Sequence, residues 1–450
     1  MAKIYPHIGG VSGIWNSHDS RFHGRSAAKI LHRDGEEKMV VHFITVGTGV
    51  GETKEKVIEA AKSQAHGILV SIFSSGVPEE VVFFCSEQSK TTVDYVMDWY
   101  RDGSIREAFP KYHVVINNRY DEFNACFRVM HEEYKKYADK HVMVNYTFGT
   151  KTMTMSAAIF SLLNHCTLCL VDGERVNGLV QKGTERVVQQ NLFQVYDLLL
   201  LEKALTLFNK FSYQSALDTL DQTCLCGVEE EFRKIIMAYD LWDRLYYKRA
   251  ERLLQSIVPG LIPEEYLKNN KAFLGTLVGS KELREKYTYV LADLINNAER
   301  RIRNGRYDDA VARLYRSIEL ISQILLLDCG INDIDAPLKL DSLKGKIHDL
   351  KTIRKYEALS QDGVVRIGVQ NKYLLLDKLG KREAWEKYKS MRNLMTQRNT
   401  SILAHGLEPV SALTAQEMLE GTLECAGLVH DSFQNLRELA FFPQLHQNEI

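Results

Sequence analysis

An arginine and a histidine near the C-terminus have the side chains and the spacing that RNA cleavage needs. Residues 398–406 are Arg-Asn-Thr-Ser-Ile-Leu-Ala-His-Gly, so Arg398 and His405 are seven positions apart. On a helix, seven residues return to the same face with a drift of only about 20°. The spacing therefore predicts that one helix presents the guanidinium and the imidazole to a single site.

These two groups suffice for RNA cleavage without a metal. RNA carries its own nucleophile, the 2'-hydroxyl, so the protein has to align it with the adjacent phosphate, neutralise developing charge and move protons. Arginine stays protonated and its planar fork fits phosphate oxygens. Histidine, with an ordinary pKa of about 6.5, exchanges protons at neutral pH. The expected products are a 2',3'-cyclic phosphate and a 5'-hydroxyl.

The same residues also have an ordinary structural interpretation. Arg398 would then be a solvated helix residue and His405 a C-terminal cap, with Gly406 ending the helix. Thr414–Glu417 would form a capping box for the final helix. The spacing alone leaves both interpretations open.

The segment resembles the R-x4-6-H signature of HEPN ribonucleases, here with the six-residue spacer and with Asn399 after the arginine. In that family two protomers meet across a two-fold axis, and each supplies one arginine and one histidine. The resemblance implies that Arg398, Asn399 and His405 are catalytic. It also implies a homodimer with a composite site, in which a lone chain is inactive.

The N-terminal half has the pattern of a parallel sheet. A β-branched apolar run begins at Met39, ends near Gly47 and passes into a helical segment, 52–64. Similar apolar runs recur at 81–85, 114–116, 142–144 and 168–171, separated by segments of helix length. This alternation is typical of α/β domains. The sequence therefore predicts a Rossmann-like domain over about 39–187.

Two loops at predicted strand ends have the composition of an anion site. One contains Gly47, Thr48 and Gly49, and the other runs from Asn145 to Met153 and opens a helix at 155–163. Parallel sheets bind ligands at the carboxyl ends of their strands. Helix N-termini expose N–H groups to anions, and a lysine in the second loop adds positive charge. Because the first and fourth strands converge on one rim, we predict one shared site.

Standard nucleotide motifs are absent from these loops. A dinucleotide fingerprint needs a glycine where Glu52 stands, and a Walker A loop needs Gly149 and Lys151 to be adjacent, whereas Thr150 separates them. The sequence therefore supports neither NAD binding nor ATP hydrolysis.

The second loop resembles the T-G-G-T-K-x-M signature of CARF domains, which are Rossmann-like sensors of CRISPR systems that bind cyclic oligoadenylate. Phe148 replaces the usual first glycine. The matching residues are Asn145, Thr147, Gly149, Thr150, Lys151 and Met153. The resemblance implies that these residues, with Thr48 and Gly49 of the first loop, bind cyclic oligoadenylate as an allosteric activator.

A CARF-like domain followed by an R-x6-H helical domain resembles the CRISPR-associated CARF–HEPN ancillary ribonucleases of type III systems. The segment Asn304–Glu319 also resembles a helix of that family's HEPN portion, where Arg313, Arg316 and Glu319 either approach RNA or form an intrahelical network. The expected fold is α/β plus all-α. The expected parts are an N-terminal extension (1–38), a CARF domain (39–187), a helical connector (188–280) and a HEPN domain (281–450). The implied function is metal-independent cleavage of single-stranded RNA in antiviral defence, switched on by cyclic oligoadenylate.

Two other functions remain compatible with these residues. One is a CARF sensor whose HEPN portion is not catalytic. The other, which is compatible with ribonuclease activity, is a ring nuclease that degrades its own activator, with Thr48 and Lys151 as candidate residues.

Two similar stretches occur around Tyr213 in the connector and around Tyr307 in the predicted HEPN domain. Their separation is not a multiple of the 34-residue tetratricopeptide period, so a repeat array is not expected.

Composition and cysteine usage fit a protein of the cytoplasm. The 450 residues carry a formal net charge of -1, which argues for local rather than general contact with RNA. No apolar stretch is suited to crossing a bilayer, and no secretory peptide precedes the eight cysteines. Cys166 and Cys169 lack a second matching pair, so we expect buried thiols and no metal or cofactor.

Overall fold

The computed structural model describes most of the chain as two compact units. The described residues are 29–31, 37–49, 51–102, 105–176, 179–190, 192–223, 228–332, 338–402 and 406–446. The first unit ends at Asp197 and the second begins at Leu198. The proposed extension, 1–38, lies outside the described residues except for 29–31 and 37–38.

The first unit is built on a seven-stranded sheet. In chain order the strands of this unit are β1 Lys29–Leu31, β2 Glu37–Thr45, β3 Glu80–Cys85, β4 Lys111–Ile116, β5 His141–Asn145, β6 Thr167–Asp172, β7 Arg175–Val176, β8 Leu179–Val180 and β9 Arg186–Gln190. The order across the sheet is β4-β3-β2-β5-β6-β9, while β1 pairs with β2 and β7 forms a hairpin with β8. Strands β2 to β6 are parallel and β9 is antiparallel to β6.

Helices cover both faces of this sheet. They are α1 Lys54–Phe73, α2 Lys90–Arg101, α3 Phe123–Tyr134 and α4 Lys151–Leu163, with a short 3-10 helix at Lys135–Tyr137. Ile44 and Phe83 pack in the core beneath α1 and α2, whereas Phe43 and Val82 pack in the core beneath α3 and α4. Strands buried on both faces give near-continuous apolar runs. The predicted Rossmann-like parallel sheet is therefore confirmed.

The second unit is helical. Its helices are α5 Phe193–Asn209, which crosses the boundary between the units, α6 Tyr213–Leu220, α7 Val228–Asp243, α8 Tyr247–Gln255, α9 Glu264–Gly279, α10 Leu283–Arg303, α11 Tyr307–Asp328, α12 Leu340–Lys344, α13 Leu350–Leu359, α14 Val369–Lys378, α15 Arg382–Ser390, α16 Arg392–Asn399, α17 Ala412–Ala426 and α18 Phe433–Glu438. Strands β10 Leu338–Lys339 and β11 Val364–Val365 pair antiparallel. The helices share one apolar core, in which Leu291 of α10, Leu314 of α11 and Met418 of α17 are fully buried. The predicted α/β plus all-α fold is confirmed.

Two helical hairpins in the second unit repeat with a period of 34 residues. The turns between α5 and α6 and between α7 and α8 hold Phe211 and Leu245 at positive φ, 56° and 64°. In each turn, the amide of the positive-φ residue donates to the carbonyl three residues back, and the next amide donates to the carbonyl five residues back, which is a Schellman motif. Ala216 and Ala250 lie at equivalent positions after these turns and are completely buried. Tyr213 therefore corresponds in structure to Tyr247.

Helix α10 is anchored to the end of α7 by a buried cluster of charges. Arg300 Nε donates to Asp243 Oδ1 at 2.9 Å, and Arg301 also donates to Asp243. Asp293 has a longer contact, 3.6 Å, with Arg300 Nη2 and accepts from the Tyr247 hydroxyl at 2.9 Å. Asp243 therefore pairs with both arginines. The negative charge of Asp293 is buried and has only the more distant contact with Arg300 to compensate it.

Burial raises the pKa of Asp293 from 3.8 to about 6, although Arg300 opposes the shift. Since the folded-state pKa is raised, the native state binds more protons than the unfolded state between these values. The free energy of unfolding is therefore larger at low pH, where Asp293 is protonated. This contribution is lost as the pH rises through about 6. Two pKa units correspond to about 3 kcal/mol.

We expect the stability of Asp293→Asn relative to the unaltered protein to increase by about 2 kcal/mol between pH 4 and pH 7. Urea titrations at several pH values measure this difference. Asp218→Asn removes an exposed carboxylate of the same unit and serves as the control. A stability difference that does not vary with pH would show that Asp293 is ionised throughout.

Three remaining sequence expectations concern cysteines, capping and membranes. Cys166 and Cys169 are buried, as expected, and burial raises the pKa of both thiols to about 12. The N-cap of α17 is Ser411, whose hydroxyl accepts from the Thr414 amide, so the predicted capping box at Thr414 was misplaced by three residues. In the described ranges, no helix is long and apolar enough to span a membrane.

Candidate functional sites

The two loops predicted to form an anion site meet at the carboxyl edge of the sheet. Strands β2 and β5 are neighbours, with Ile44 opposite Asn145. A Cβ on Gly47 would lie 2.9 Å from the amide nitrogen of Gly149, which itself has a φ of 103°. Such an approach is possible only without a side chain at position 47. The structure thus brings the predicted loops into contact.

Several of the predicted ligand residues build the second loop. Asn145 Oδ1 accepts from the backbone amide of Thr147 at 3.0 Å and from its hydroxyl at 2.6 Å. The Thr147 hydroxyl in turn accepts from the Val171 amide at 2.7 Å, and the Thr45 hydroxyl donates to the Phe148 carbonyl. These bonds fix the path of the backbone after β5. Asn145 and Thr147 are therefore positioning groups for the loop.

The end of the same loop is the N-terminus of α4. Thr150 is its N-cap: its hydroxyl accepts from the Met153 amide at 3.2 Å and donates to the Tyr120 carbonyl at 3.1 Å. Met153 is only 5% exposed and packs beside Gly149. Both residues therefore hold the helix start in place against the turn.

Phe148, which replaces the usual glycine of the signature, packs into the core. It is 8% exposed and belongs to the apolar cluster beneath α1 and α2. A Cβ on Gly67 would lie 3.0 Å from its ring, so the absence of a side chain in α1 makes room for it. The substitution therefore leaves the turn at Gly149 intact.

Lys151 and the first loop remain available to a ligand. Lys151 is exposed at the first position of α4. Thr48 is partly exposed and its hydroxyl bonds only locally, to the Gly49 carbonyl at 3.2 Å. Gly49 has a φ of 81°, and a Cβ there would lie 2.7 Å from the Val57 carbonyl oxygen. Since α1 to α4 each follow a parallel strand, their N-termini all start at this edge and favour an anion.

Sequence analysis missed one polar group at this edge. The Oε1 atom of Gln64 is buried without a hydrogen-bond partner among the described residues, and it lies 3.1 Å from the Cβ position of Gly47. The Nδ2 atom of Asn145 is also buried without a partner there. Gln64 lies well inside α1 and is distant in sequence from the first loop, so no local sequence pattern indicated that it reaches this edge.

In the second unit, Arg398 lies in the last turn of α16. Its Cζ atom is 4.0 Å from the centroid of the Tyr315 ring on α11, and its Nη1 atom donates to Asn399 Oδ1 at 3.1 Å. Within the described ranges it forms no ion pair with a carboxylate. Arg398 is therefore a partly exposed cation whose charge is not neutralised, held by an aromatic face and its neighbouring amide.

The prediction that one helix carries both Arg398 and His405 was wrong. Helix α16 ends at Asn399, and the chain then turns back on itself: the Ile402 amide donates to the Glu408 carbonyl at 3.0 Å, and the Gly406 amide donates to the Ser401 carbonyl at 3.1 Å. His405 itself lies outside the described residues. The helix that carries Arg398 therefore ends before residue 405.

Long-range contacts hold the two ends of this loop. The Val410 amide donates to the Asp308 carboxylate at 3.2 Å, and the Thr414 hydroxyl donates to Gln397 Oε1 at 2.9 Å. A Cβ on Gly406 would overlap the carbonyl oxygen of Thr400. The loop therefore returns close to the end of α16, where Arg398 lies.

Two comparisons with known proteins return a match to this chain. Residues 280–425 match the family model of the Csm6 HEPN domain. A solved structure, Enterococcus italicus Csm6 bound to cyclic hexa-2'-fluoro-hexa-dAMP, matches with a TM-score of 0.60 and 13% sequence identity, covering 89% of this chain and 100% of that chain. The chain has the CARF–HEPN fold. The resemblance to CRISPR-associated CARF–HEPN proteins is thus confirmed. No curated protein is a significant sequence match.

The charged residues of α11 in the HEPN domain form a network. Arg313 donates to Asp309 and to Asn297, and Arg316 donates to Glu319 Oε2 at 3.0 Å. Glu319 also pairs with Lys372 of α14 at 3.0 Å. Of the two interpretations of these charges, the structure supports the network.

Tyr315 lies on the same helix and contacts Arg398, a contact that the sequence did not indicate. Cation–π contacts of this kind contribute about 0.5–2 kcal/mol. If Arg398 acts on RNA, Tyr315→Leu should lower kcat about ten-fold with little change in KM, because the guanidinium loses its support. Tyr315→Phe keeps the ring and should stay near the unaltered rate. Steady-state kinetics on a short RNA measures both, and equal rates for the three proteins would remove Tyr315 from the site.

The first unit exposes an apolar stripe along α4. Met155, Ile159 and Leu163 occur at four-residue intervals and are 59%, 39% and 53% exposed. Val195, at the start of α5, is 58% exposed. Lys151 precedes Met155 by one helical turn and therefore lies on the same face. Exposed apolar side chains in a row are typical of a surface that another protein covers.

Proposed function

We propose that this protein is an endoribonuclease that cleaves single-stranded RNA without a metal and is activated by cyclic oligoadenylate in type III CRISPR antiviral defence. The observation that carries the proposal is Arg398. It is a guanidinium without a carboxylate partner in the described ranges, it is held against Tyr315, and it lies within the residues that match the Csm6 HEPN domain.

The proposed chemistry needs few groups. Arg398 binds the phosphate that is attacked and offsets the charge that develops on its oxygens. His405 exchanges the protons of the 2'-hydroxyl and the leaving 5'-oxygen. Asn399 accepts from Arg398 and orients its fork. The 2'-hydroxyl is the nucleophile, so the reaction requires neither a metal nor a cofactor.

We further propose that two copies of the chain form the active enzyme. The apolar stripe on α4 supports a CARF contact between copies. Around the motif loop of the HEPN domain, Ile402, Leu407 and Leu413 are 56%, 84% and 67% exposed, which supports a second contact there. Each copy would contribute one Arg398 and one His405 to a shared site.

Cyclic oligoadenylate is the proposed activator. The ligand-bound Csm6 with the same fold supports this assignment, together with Lys151 and four helix N-termini at the rim of the sheet. The remaining ligand residues in the proposal are Thr48, Gly49, Asn145, Thr147, Gly149, Thr150 and Met153. A ligand that contacts the sheet edges of both copies binds one arrangement of the copies more tightly than the other. The favoured arrangement sets the geometry of the shared HEPN site. The proposed location is the cytoplasm.

The chemistry of the products tests the proposed reaction. With activator and an excess of chelator, the purified protein should cut an RNA strand and leave 2',3'-cyclic phosphate ends. An RNA with a single 2'-deoxy nucleotide at the cut site should resist cleavage there. Cleavage at the deoxy position would contradict a nucleophile supplied by the RNA, and loss of cleavage with chelator would contradict a metal-independent reaction.

A further inference from the structure

The helical unit contains a cavity with a charged rim. It has a volume of about 330 Å³ and lies where the turn between α7 and α8 faces the end of α9 and the first turns of α10. Leu277 and Val278 of α9 and Leu245 and Tyr246 of the turn supply its apolar lining. The volume is at the lower end of the range for ligand sites, about 300–1,000 Å³.

The wall that the α7–α8 turn contributes is held in place. The Leu245 and Tyr246 amides donate to Trp242 and Leu241 carbonyls, both at 2.8 Å, and Leu245 has a φ of 64°. The hydroxyl of Tyr247 is anchored to buried Asp293 at 2.9 Å. Tyr246, by contrast, is 47% exposed. The cavity therefore presents an accessible aromatic ring on a fixed backbone.

The rim is positively charged. Lys248, Arg249 and Lys286 line the cavity and are exposed, and no carboxylate is among its lining residues. In the part of the chain that the structure describes, none of these three cations is paired with a carboxylate. The Cζ atoms of Arg249 and of Arg244 lie 5.6 Å and 5.3 Å from the Tyr246 ring centroid. Only Arg244 has an acidic partner, Asp240 at 3.2 Å.

We propose that this cavity binds single-stranded RNA, with a base against Tyr246 and flanking phosphates on Lys248, Arg249 and Lys286. Single-strand sites combine an aromatic platform with cations that follow the backbone. An aromatic ring flanked by guanidinium planes suits a planar base better than it suits an acidic peptide. The inference deepens the proposed ribonuclease function, because it gives the substrate a contact outside the Arg398 site.

RNA binding by cavity variants tests the proposal. Fluorescence anisotropy with a labelled, non-cleavable 2'-O-methyl strand of mixed sequence measures affinity across a range of salt concentrations. Tyr246→Ala should weaken binding about ten-fold, within the range for loss of one stacked base. Each phosphate contact on a single strand contributes about 0.7 to the slope of log affinity against log salt. Lys248→Gln with Lys286→Gln should therefore reduce that slope by about 1.4.

Matched variants separate this effect from a general loss of charge. Lys268→Gln with Lys355→Gln removes two exposed lysines of the same unit that do not line the cavity, and should leave the slope unchanged. Equal slopes and affinities for the cavity and control variants would overturn the proposal. The proposal would also be overturned if an acidic peptide bound the protein without displacing RNA and lost its binding in the Tyr246→Ala variant.

The outcome is independent of whether the proposed catalysis is correct. If activated protein cleaves RNA but the cavity variants bind and cleave as the unaltered protein does, the inference alone fails. If no activator elicits cleavage but anisotropy depends on Tyr246 and the lysines, the ribonuclease assignment fails and RNA binding at the cavity is retained.

Discussion

Replacing Arg398 with alanine should reduce activator-dependent RNA cleavage by about a hundred-fold to a thousand-fold. Loss of one preorganised donor to a developing oxyanion has an effect of this size. Arg398 contacts Tyr315 and Asn399 and forms no ion pair within the described ranges, so its removal leaves no buried charge uncompensated. The fold should therefore be retained. Cleavage of a fluorogenic RNA, together with the melting temperature, measures both effects.

Two further substitutions sharpen this prediction. Arg398→Lys keeps the charge but loses the planar fork, so it should also be strongly impaired. Arg382→Ala removes an arginine with an 81% exposed side chain from α15 and should cleave normally. If Arg398→Ala cleaved as fast as Arg382→Ala, Arg398 would not be a catalytic residue and the structural interpretation of the motif would be correct.

The second large effect is expected from the apolar stripe on α4. Met155→Asp with Ile159→Asp would place two carboxylates on the surface that we assign to the CARF contact between copies. Burying an unpaired charge in an apolar interface is strongly unfavourable. The double variant should raise the dimer dissociation constant at least about 100-fold, equivalent to about 2.7 kcal/mol. Activator-dependent cleavage should fall in parallel.

Light scattering coupled to size-exclusion chromatography measures this change. Ile58→Asp is the matched control, because Ile58 is 44% exposed on α1 and lies off the stripe. A double variant that remains as dimeric as the Ile58 variant would show that α4 is not the contact surface. Dimeric but inactive protein would instead assign the stripe to signal transmission rather than to assembly.

The parallel sheet was predictable because its strands are buried on both faces. The run containing Val81, Val82 and Phe83 has no polar alternation, and all three residues are fully buried. Strands β1, β7, β8 and β9 escaped prediction. They are short or lie at edges, and β9 exposes polar residues such as Arg186 and Gln189. Local pattern identifies central strands better than strands that depend on a neighbour for their pairing.

The end of α16 was not predictable from spacing. Seven residues fit a helix face equally well whether the helix continues or turns, and the features that end it are distant in the chain. Asp308 binds the amide of Val410, and Gln397 binds the hydroxyl of Thr414. The 34-residue repeat escaped for a different reason. Phe211 and Leu245 occupy turn positions where glycine is the usual signal, so the equivalence of the two turns was hidden.

The candidate sites also contain some residues that the sequence indicated and others that it did not. The loops after β2 and β5 were predictable, since parallel strands place their carboxyl ends at one edge. Gln64 and Tyr315 were not, because each reaches its site through a fold contact rather than through a motif. The structure also shows that Asn145 and Thr147 build the loop, a role that a signature match does not distinguish from direct ligand contact.

Cleavage of a fluorogenic RNA by the purified protein, in chelator, alone and with cyclic tri-, tetra- or hexa-adenylate, tests both the proposed activity and its control. We expect no cleavage without ligand and rapid cleavage with one of the rings, and we expect Arg398→Ala to abolish that cleavage. Cleavage that does not depend on any ring would contradict allosteric control. Silence with every ring would contradict the ribonuclease assignment and favour a sensor with a non-catalytic HEPN domain.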